Sequence, residues 1–210
     1  MTHHITHIVH RFDTGGLENG IVNLINWLPG DYRHSILCLT DYSQEFAKRL
    51  KKPVEIRSLH KQEGKDLKIY LRLYKALREL RPDILHSRNL STLEAQVVAF
   101  FAGVSGRVHG EHGWDMYDLG GTNKKYQLLR RLVKPFVHHF IALSPESQTY
   151  LLEKIRVPKR KVSQIFNGVD STRFAASSTA PTNLDASSGL LDSGNFCFVN
   201  VGRMARVKNP

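Results

Sequence analysis

The sequence predicts an α/β protein: a parallel sheet with helices on both faces. Two observations carry that expectation. Short apolar runs alternate with longer segments whose apolar residues recur at helical spacing, and the rhythm holds from Ile5 to Ile165. The exits from the apolar runs are polar or glycine-rich, as expected of strands that end at a ligand-binding edge.

Ile5 to Val9 reads as the first strand. It leads through Gly15-Gly16 into a helix over 17–28, with Leu17, Ile21, Leu24, Ile25 and Leu28 on one face. Ser35 to Leu39 is a second strand, followed by a helix over 43–50 that Ser43 caps. Val54 to Leu59 is a third strand. The helix over 67–80 carries Leu67, Leu71, Tyr74 and Leu77 as an apolar set at helical spacing. Pro82 ends that helix, and Asp83-Ile84-Leu85-His86 forms a fourth strand. A helix over 92–101, a strand over 107–111 and a helix over 124–137 come next, the last interrupted near Pro135. Phe140 to Leu143 is a strand. Ser144-Pro145-Glu146 then starts a helix with a capping serine, a first-position proline and an acid in the first turn. Lys161 to Ile165 is a further strand.

Residues 175–194 are rich in Ser, Ala, Thr, Pro and Gly and read as a linker. Phe196 to Val201 is again a buried-strand pattern, running into Gly202-Arg203 and then Lys208. The expected organisation is one domain over 1–174, a linker over 175–194 and the truncated opening of a second domain over 195–210.

Hydrophobic residues make up 41% of the chain, enough for a real core. Thirty Lys and Arg against nineteen Asp and Glu leave a formal charge of +11, which points to an anionic partner. The candidates are a phosphorylated substrate and a phospholipid surface, between which charge alone does not choose, and the alternative is a merely soluble basic protein. A nucleic acid is not expected, because recognition-helix, zinc-spacing and aromatic RNA-binding signatures are missing. Cys38 and Cys197 each sit in an apolar run and read as small core residues of a reducing compartment. The N-terminus has no signal-peptide pattern, and no stretch reaches the roughly 18 apolar residues of a spanning helix. The expected location is cytoplasmic, with peripheral attachment to the inner face of the cell membrane left open.

Gly15-Gly16 lies where a strand passes into a helix. There the backbone can approach an anion at unpaired N–H groups, or simply turn. The G-x-G-x-x-G and Walker patterns are absent, so neither a nicotinamide cofactor nor a nucleoside triphosphate is expected. Polar exits leave three later strands: His86-Ser87-Arg88-Asn89, Glu111-His112-Gly113 and Ser144. His112 is either a structural residue or a donor to a substrate hydroxyl. Asn167-Gly168 is a tight turn, and Asp170 is placed to cap the next one. Arg203 and Lys208 have the chemistry to neutralise a departing diphosphate without a metal ion, or are solvated charges. The stretch 124–134 mixes cations with leucines at helical spacing. It is either a core helix with a basic outer face or a helix lying on an anionic membrane.

Taken together, several motifs resemble family 4 (group 1) glycosyltransferases of the GT-B fold: Gly15-Gly16-Leu17-Glu18, Pro82-Asp83-Ile84-Leu85-His86, Glu111-His112-Gly113, Ser144, Asn167-Gly168-Val169-Asp170 with Arg173-Phe174, and Gly202-Arg203 with Lys208-Asn209-Pro210. The match is to the Rossmann-like N-terminal half, and its flavour is that of sugar transferases of exopolysaccharide systems. The resemblance implies a retaining, metal-free transfer of a sugar from a nucleotide-sugar to a glycan or lipid-linked acceptor. It implies that Gly16 contacts the donor phosphate or sugar and His112 the donor sugar near the reacting carbon. Arg203 and Lys208 would stabilise the leaving diphosphate. Gly15, Glu18, Asn89, Glu111, Ser144, Asn167 and Asp170 would line the substrates. The family's paired glutamates of the second domain have no counterpart here, so the chain is expected to be inactive alone. The alternative is a non-catalytic module that binds a phosphorylated or lipid-linked glycan at the membrane.

Overall fold

The computed structural model describes residues 3–113, 118, 120–169 and 171. The chain divides into two compact units, Met1–Gly168 and Val169–Pro210, and every described strand and helix belongs to the first. Seven strands form one sheet: β1 (His3–Val9), β2 (Tyr32–Cys38), β3 (Glu55–Ser58), β4 (Ile84–Arg88), β5 (Gly106–Glu111), β6 (His139–Ala142) and β7 (Val162–Gln164). All six neighbour pairs are parallel, in the order β3-β2-β1-β4-β5-β6-β7.

Parallel neighbours require crossovers, and the sequence supplies a helix for each. The helices are α1 (Gly16–Trp27), α2 (Gln44–Ala47), α3 (Lys68–Leu80), α4 (Ala95–Phe101), α5 (Lys124–Val133) and α6 (Pro145–Thr149). Their caps arise from local chemistry. Ser43 accepts the Phe46 N–H, Asn123 the Lys125 N–H and Ser144 the Ser147 N–H. Pro135 turns the end of α5 into a short 3-10 segment over Lys134–Phe136. After α6 the chain passes into one π-helical turn over Tyr150–Lys154.

Right-handed crossovers put helices on both faces. On one, Ile21, Val22 and Ile25 of α1 meet Val9, Ile36 and Cys38. On the other, α3 and α4 cover Ile8, Leu37 and Leu85. Farther along that face, Val133 of α5 with Tyr150 and Leu151 packs on Phe140 and Ala142. Cys38 is a buried free thiol in the first of these clusters, and burial pushes it up to about 12.

The apolar set at helical spacing is not the inner face of α3. Leu67, Leu71 and Tyr74 of the α3 region are exposed, and of that set only Leu77 is buried. The inner stripe is Ile69, Leu73, Ala76, Leu77 and Leu80. It is longer than the rival stripe and continuous over the whole helix, so more apolar area leaves water when it faces the sheet. Helix α5 shows the same inversion. Gln127, Arg130 and Val133 point inward while Leu128 and Leu132 are exposed. Residues 175–194, the Phe196–Val201 run and Cys197 lie outside the described residues.

The α3 assignment is testable by paired truncation. Leu73→Ala should lower the free energy of unfolding by about 2–5 kcal/mol. Leu71→Ala, on the exposed face, should change it by less than about 0.5 kcal/mol. Urea unfolding midpoints read both.

Candidate functional site at the sheet switch point

From β1 the chain winds outward through β2 to β3. Helix α3 then carries it back to β4 on the other flank of β1, and it winds outward again to β7. The connections after β1 and β4 therefore diverge to opposite faces, and a crevice opens beyond their C-terminal ends. Several polar residues singled out in the sequence border it.

Helix α1 begins at the crevice. Gly15 is extended, so its backbone demands no glycine; a β-carbon there would collide with the Glu18 carboxylate, which folds back over it. A β-carbon at Gly16 would meet nothing within 4 Å, so the first turn is open on that side. Its leading N–H groups have no intrahelical acceptor and carry the positive end of the helix dipole.

Below α1 lies Arg88, the last residue of β4, only 5% exposed. Its Nη1 donates to the Leu17 carbonyl at 3.1 Å, and its Nε finds no partner among the described residues. Thr92 holds its backbone, accepting the Arg88 N–H at 2.8 Å and donating to the Arg88 carbonyl at 2.6 Å. Gly20 makes room for the guanidinium, since a β-carbon there would stand 3.2 Å from Nη1. The same point is 3.8 Å from Asn167 Oδ1. Beyond β7 the chain, pinned by the Ile165 N–H to the Ala142 carbonyl, thus crosses back toward α1.

Asn89 comes next with φ 58° and ψ 172°, a conformation unfavourable for a residue with a side chain. The strained turn aims its Oδ1 at the His112 N–H, which donates to it at 2.7 Å. His112 leaves β5 and folds over Gly110, where a β-carbon would lie 2.6 Å from His112 Nε2 and 3.6 Å from His86 Nε2. His112 Nδ1 is buried without a partner among the described residues. Burial, then the nearby Arg88 charge, lowers His112 to about 3, so the imidazole is neutral. His86 and His7 lie behind it with ring centroids 5.3 Å apart. Both are held well below 6.5, first by burial and then by Arg88. His34 continues the row, its Nδ1 3.2 Å from His7 Nε2, and burial takes it to about 4.

Glu111 points to the opposite face of the sheet. Arg130 of α5 donates to both its oxygens, at 2.7 and 3.1 Å, and His109 Nε2 stands 3.6 Å away. The last distance is too long for a hydrogen bond. Burial alone would raise the carboxyl; the two hydrogen bonds and the charge of Arg130 outweigh it and hold it at about 2. Arg130 also lies over the Tyr150 ring, 5.4 Å from its centroid. Glu111 thus anchors the β5 exit to α5. Ser144 spends its hydroxyl on capping α6. Beside α6, Gly121, Thr122, Gln127, Thr149 and Tyr150 help line a cavity of about 590 Å³.

The structure thus brings Gly15, Gly16, Glu18, Asn89, His112 and Asn167 to the crevice, with Glu111 and Ser144 in supporting positions. Asp170, Arg203 and Lys208 lie outside the described residues. Sequence reasoning passed over Arg88, Gly20, Gly110 and Arg130. Arg88 stands within the polar exit from β4, but nothing local marks it as buried. Among the described residues no group of three or more His, Cys, Asp or Glu is arranged to hold a metal ion.

This architecture recurs in sugar-handling proteins. A glycosyltransferase from Rickettsia africae superposes with TM-score 0.68 at 17% identity, covering 90% of this chain and 49% of that one. Anabaena HepE, in complex with UDP and glucose, superposes with TM-score 0.65 at 17% identity, covering 83% and 47%. The sheet is therefore the Rossmann-like half of a GT-B glycosyltransferase fold. The Glycosyltransferase Family 4 model matches residues 14–173, and the chain belongs to that family. An Escherichia coli relative, UDP-Gal:alpha-D-GlcNAc-diphosphoundecaprenol alpha-1,3-galactosyltransferase, is 29% identical over 175 residues, covering 82% of this chain and 44% of its own length. The chain spans about half the length of the relatives it matches.

The site's electrostatics give two expected outcomes. Arg130→Met strands a buried carboxylate and should cost about 3–5 kcal/mol at pH 7, whereas Arg130→Met with Glu111→Leu should recover most of it. Acid should destabilise the fold in two windows. His7 and His86 titrate lower folded than unfolded, so their contribution is complete above 6.5 and drains below it, by up to about 1.4 kcal/mol per pH unit each. Glu111 obeys the same sign lower down: its contribution is complete above 4.5 and is lost as pH falls toward 2. Urea unfolding at pH 7.5, 6.0 and 5.0 reads the first window, and His86→Gln should flatten it.

Proposed function

We propose that the chain supplies the acceptor-side half of a retaining, metal-free glycosyltransferase. The donor is a nucleotide-sugar and the acceptor a glycan or lipid-linked glycan. One observation carries the reading: a neutral His112, held by a strained Asn89, stands at the same crevice as the open first turn of α1. A neutral imidazole can hydrogen-bond a sugar hydroxyl without adding charge where positive character builds on the anomeric carbon. In the transfer, the bond from that carbon to the diphosphate oxygen breaks. A bond to the acceptor oxygen forms on the same face, and the acceptor proton passes to the departing diphosphate. Gly16 lets the donor approach α1. Arg203 and Lys208 take up the charge on the diphosphate. The E. coli relative's name supplies the substrate classes of choice, a UDP-hexose and a diphosphopolyprenol-linked sugar.

The domain organisation proposed is an acceptor-side domain over 1–174, a linker over 175–194 and the start of a donor domain over 195–210, with no transfer by these residues alone. A lipid-linked acceptor also fits the surface. Leu128 and Leu132 are exposed on α5 beside Lys124, Lys125 and Arg131. We assign that face to the anionic inner leaflet, as part of an exopolysaccharide-type assembly. No helix among the described residues is long and apolar enough to cross a membrane.

The test is a transfer assay with UDP-hexoses and a short-chain diphosphoprenol-linked N-acetylglucosamine, using the chain continued through a complete second domain. The expected product keeps the donor's anomeric configuration, and His112→Ala lowers kcat by about 100-fold or more. An inverted product, or no turnover of any nucleotide-sugar, sinks the proposal.

A further inference from the structure

Arg88 is a buried cation that nothing in the proposed transfer uses. Arg130, equally buried, is closed onto Glu111 by two hydrogen bonds. Arg88 has no such fork. Among the described residues its guanidinium bonds the neutral Leu17 carbonyl, and its Nε is orphaned. The titratable groups that face it are His7, His86 and His112, all uncharged, and Glu18. A buried cation without a hydrogen-bonded counter-charge is heavily penalised. The N–H groups of the first turn of α1 add positive potential to the same spot, and the Glu18 carboxylate on that turn acts against it.

The surroundings accommodate this cation where others would expel it. Gly20 leaves out the β-carbon that would crowd the guanidinium, Thr92 clamps its backbone, and Leu17 fixes Nη1 to the helix. On the Gly16 side the first turn is open, while the Glu18 carboxylate covers Gly15. What the arrangement lacks is an anion large enough to meet the helix N–H groups and the guanidinium field together. A diphosphate spreads its charge over two centres and suits that span; a carboxylate does not.

We propose that Arg88 and the first turn of α1 form a diphosphate subsite, with Arg88 supplying the counter-charge from beneath the helix and Asn167 at the rim. The inference rests on reading the crevice as the transfer site. It adds to that reading a positioning cation on the acceptor-side domain. The diphosphate belongs either to a nucleotide donor or to a prenyl-linked acceptor.

The 210-residue chain should be titrated with UDP, inorganic diphosphate and geranyl diphosphate, following backbone and arginine side-chain N–H resonances. The expected result is movement of the Gly16–Gly20 amides and of the Arg88 Nε–H signal. A preference for UDP assigns the donor, and a preference for geranyl diphosphate the acceptor. Arg88→Gln should weaken binding at least about tenfold, while Arg88→Lys, which keeps the charge but not the planar fork, should lose clearly less. A merely structural arginine would show the same loss in both variants. Three results would overturn the proposal: no binding of any probe by wild type, equal binding by Arg88→Gln, or equal loss in both variants. Should Arg88→Gln fail to fold, the wild-type Nε–H signal decides. If it stays still while the α1 amides move, the proposal is refuted. Equal binding by Arg88→Gln leaves sugar transfer standing. Arg88-dependent binding in a continued chain that turns over no nucleotide-sugar defeats the transfer reading instead.

Discussion

Strands β1 and β4 are hydrogen-bonded neighbours whose outgoing chains must part. After β1 the chain passes to α1 on one face; after β4 it passes to α4 on the other. Right-handed crossovers leave no third route, so the ends of these two strands cannot be roofed by their own loops. Every other feature of the site depends on that divergence. It gives the N-terminus of α1 an open approach and makes the end of β4 a floor beneath the helix. The turn after β5 can then carry His112 in from the side.

The same edge carries an unusual load of buried polarity, handled in two ways. Glu111 and Arg130 neutralise each other across the face of the sheet, which fixes the β5 exit relative to α5. The histidines respond to burial by giving up charge: His7, His86 and His112 all sit below their ordinary range. Arg88 has neither remedy. A guanidinium still near 10 after burial stays charged at neutral pH. Asn89 adds a strained backbone beside it. Among the described residues, unpartnered polar atoms also occur elsewhere in the fold, at His34, Gln96 and His109, but at this crevice a buried cation and a strained backbone stand side by side.

The parallel sheet was legible because its signals are local. Apolar runs of strand length, caps such as Ser43 and Ser144, and the stop at Pro82 each act within a few residues. Gly15-Gly16 and His112 were legible for a related reason, since a polar or glycine exit from a strand is visible in the chain itself. The inner faces of α3 and α5 were not. Both helices offer two plausible stripes, and local spacing does not say which one meets the sheet. In α5 the inward places go to Arg130, which pairs with Glu111 nineteen residues earlier, and to Gln127, which donates to the Gly121 carbonyl. Arg88 was hidden likewise: its roof, Leu17 and Gly20, lies about seventy residues upstream. Asn167 reaches Gly20 only because the chain doubles back after β7.

Period, caps and breakers thus settled the kind of protein and the order of its elements, since those depend on interactions a few residues long. Which side of a helix is inward, which buried cation meets a carboxylate fork and which a carbonyl, and which distant loops share a crevice were decided by the packed sheet alone. Those outcomes turn on burial, and burial exists only once remote segments have come together.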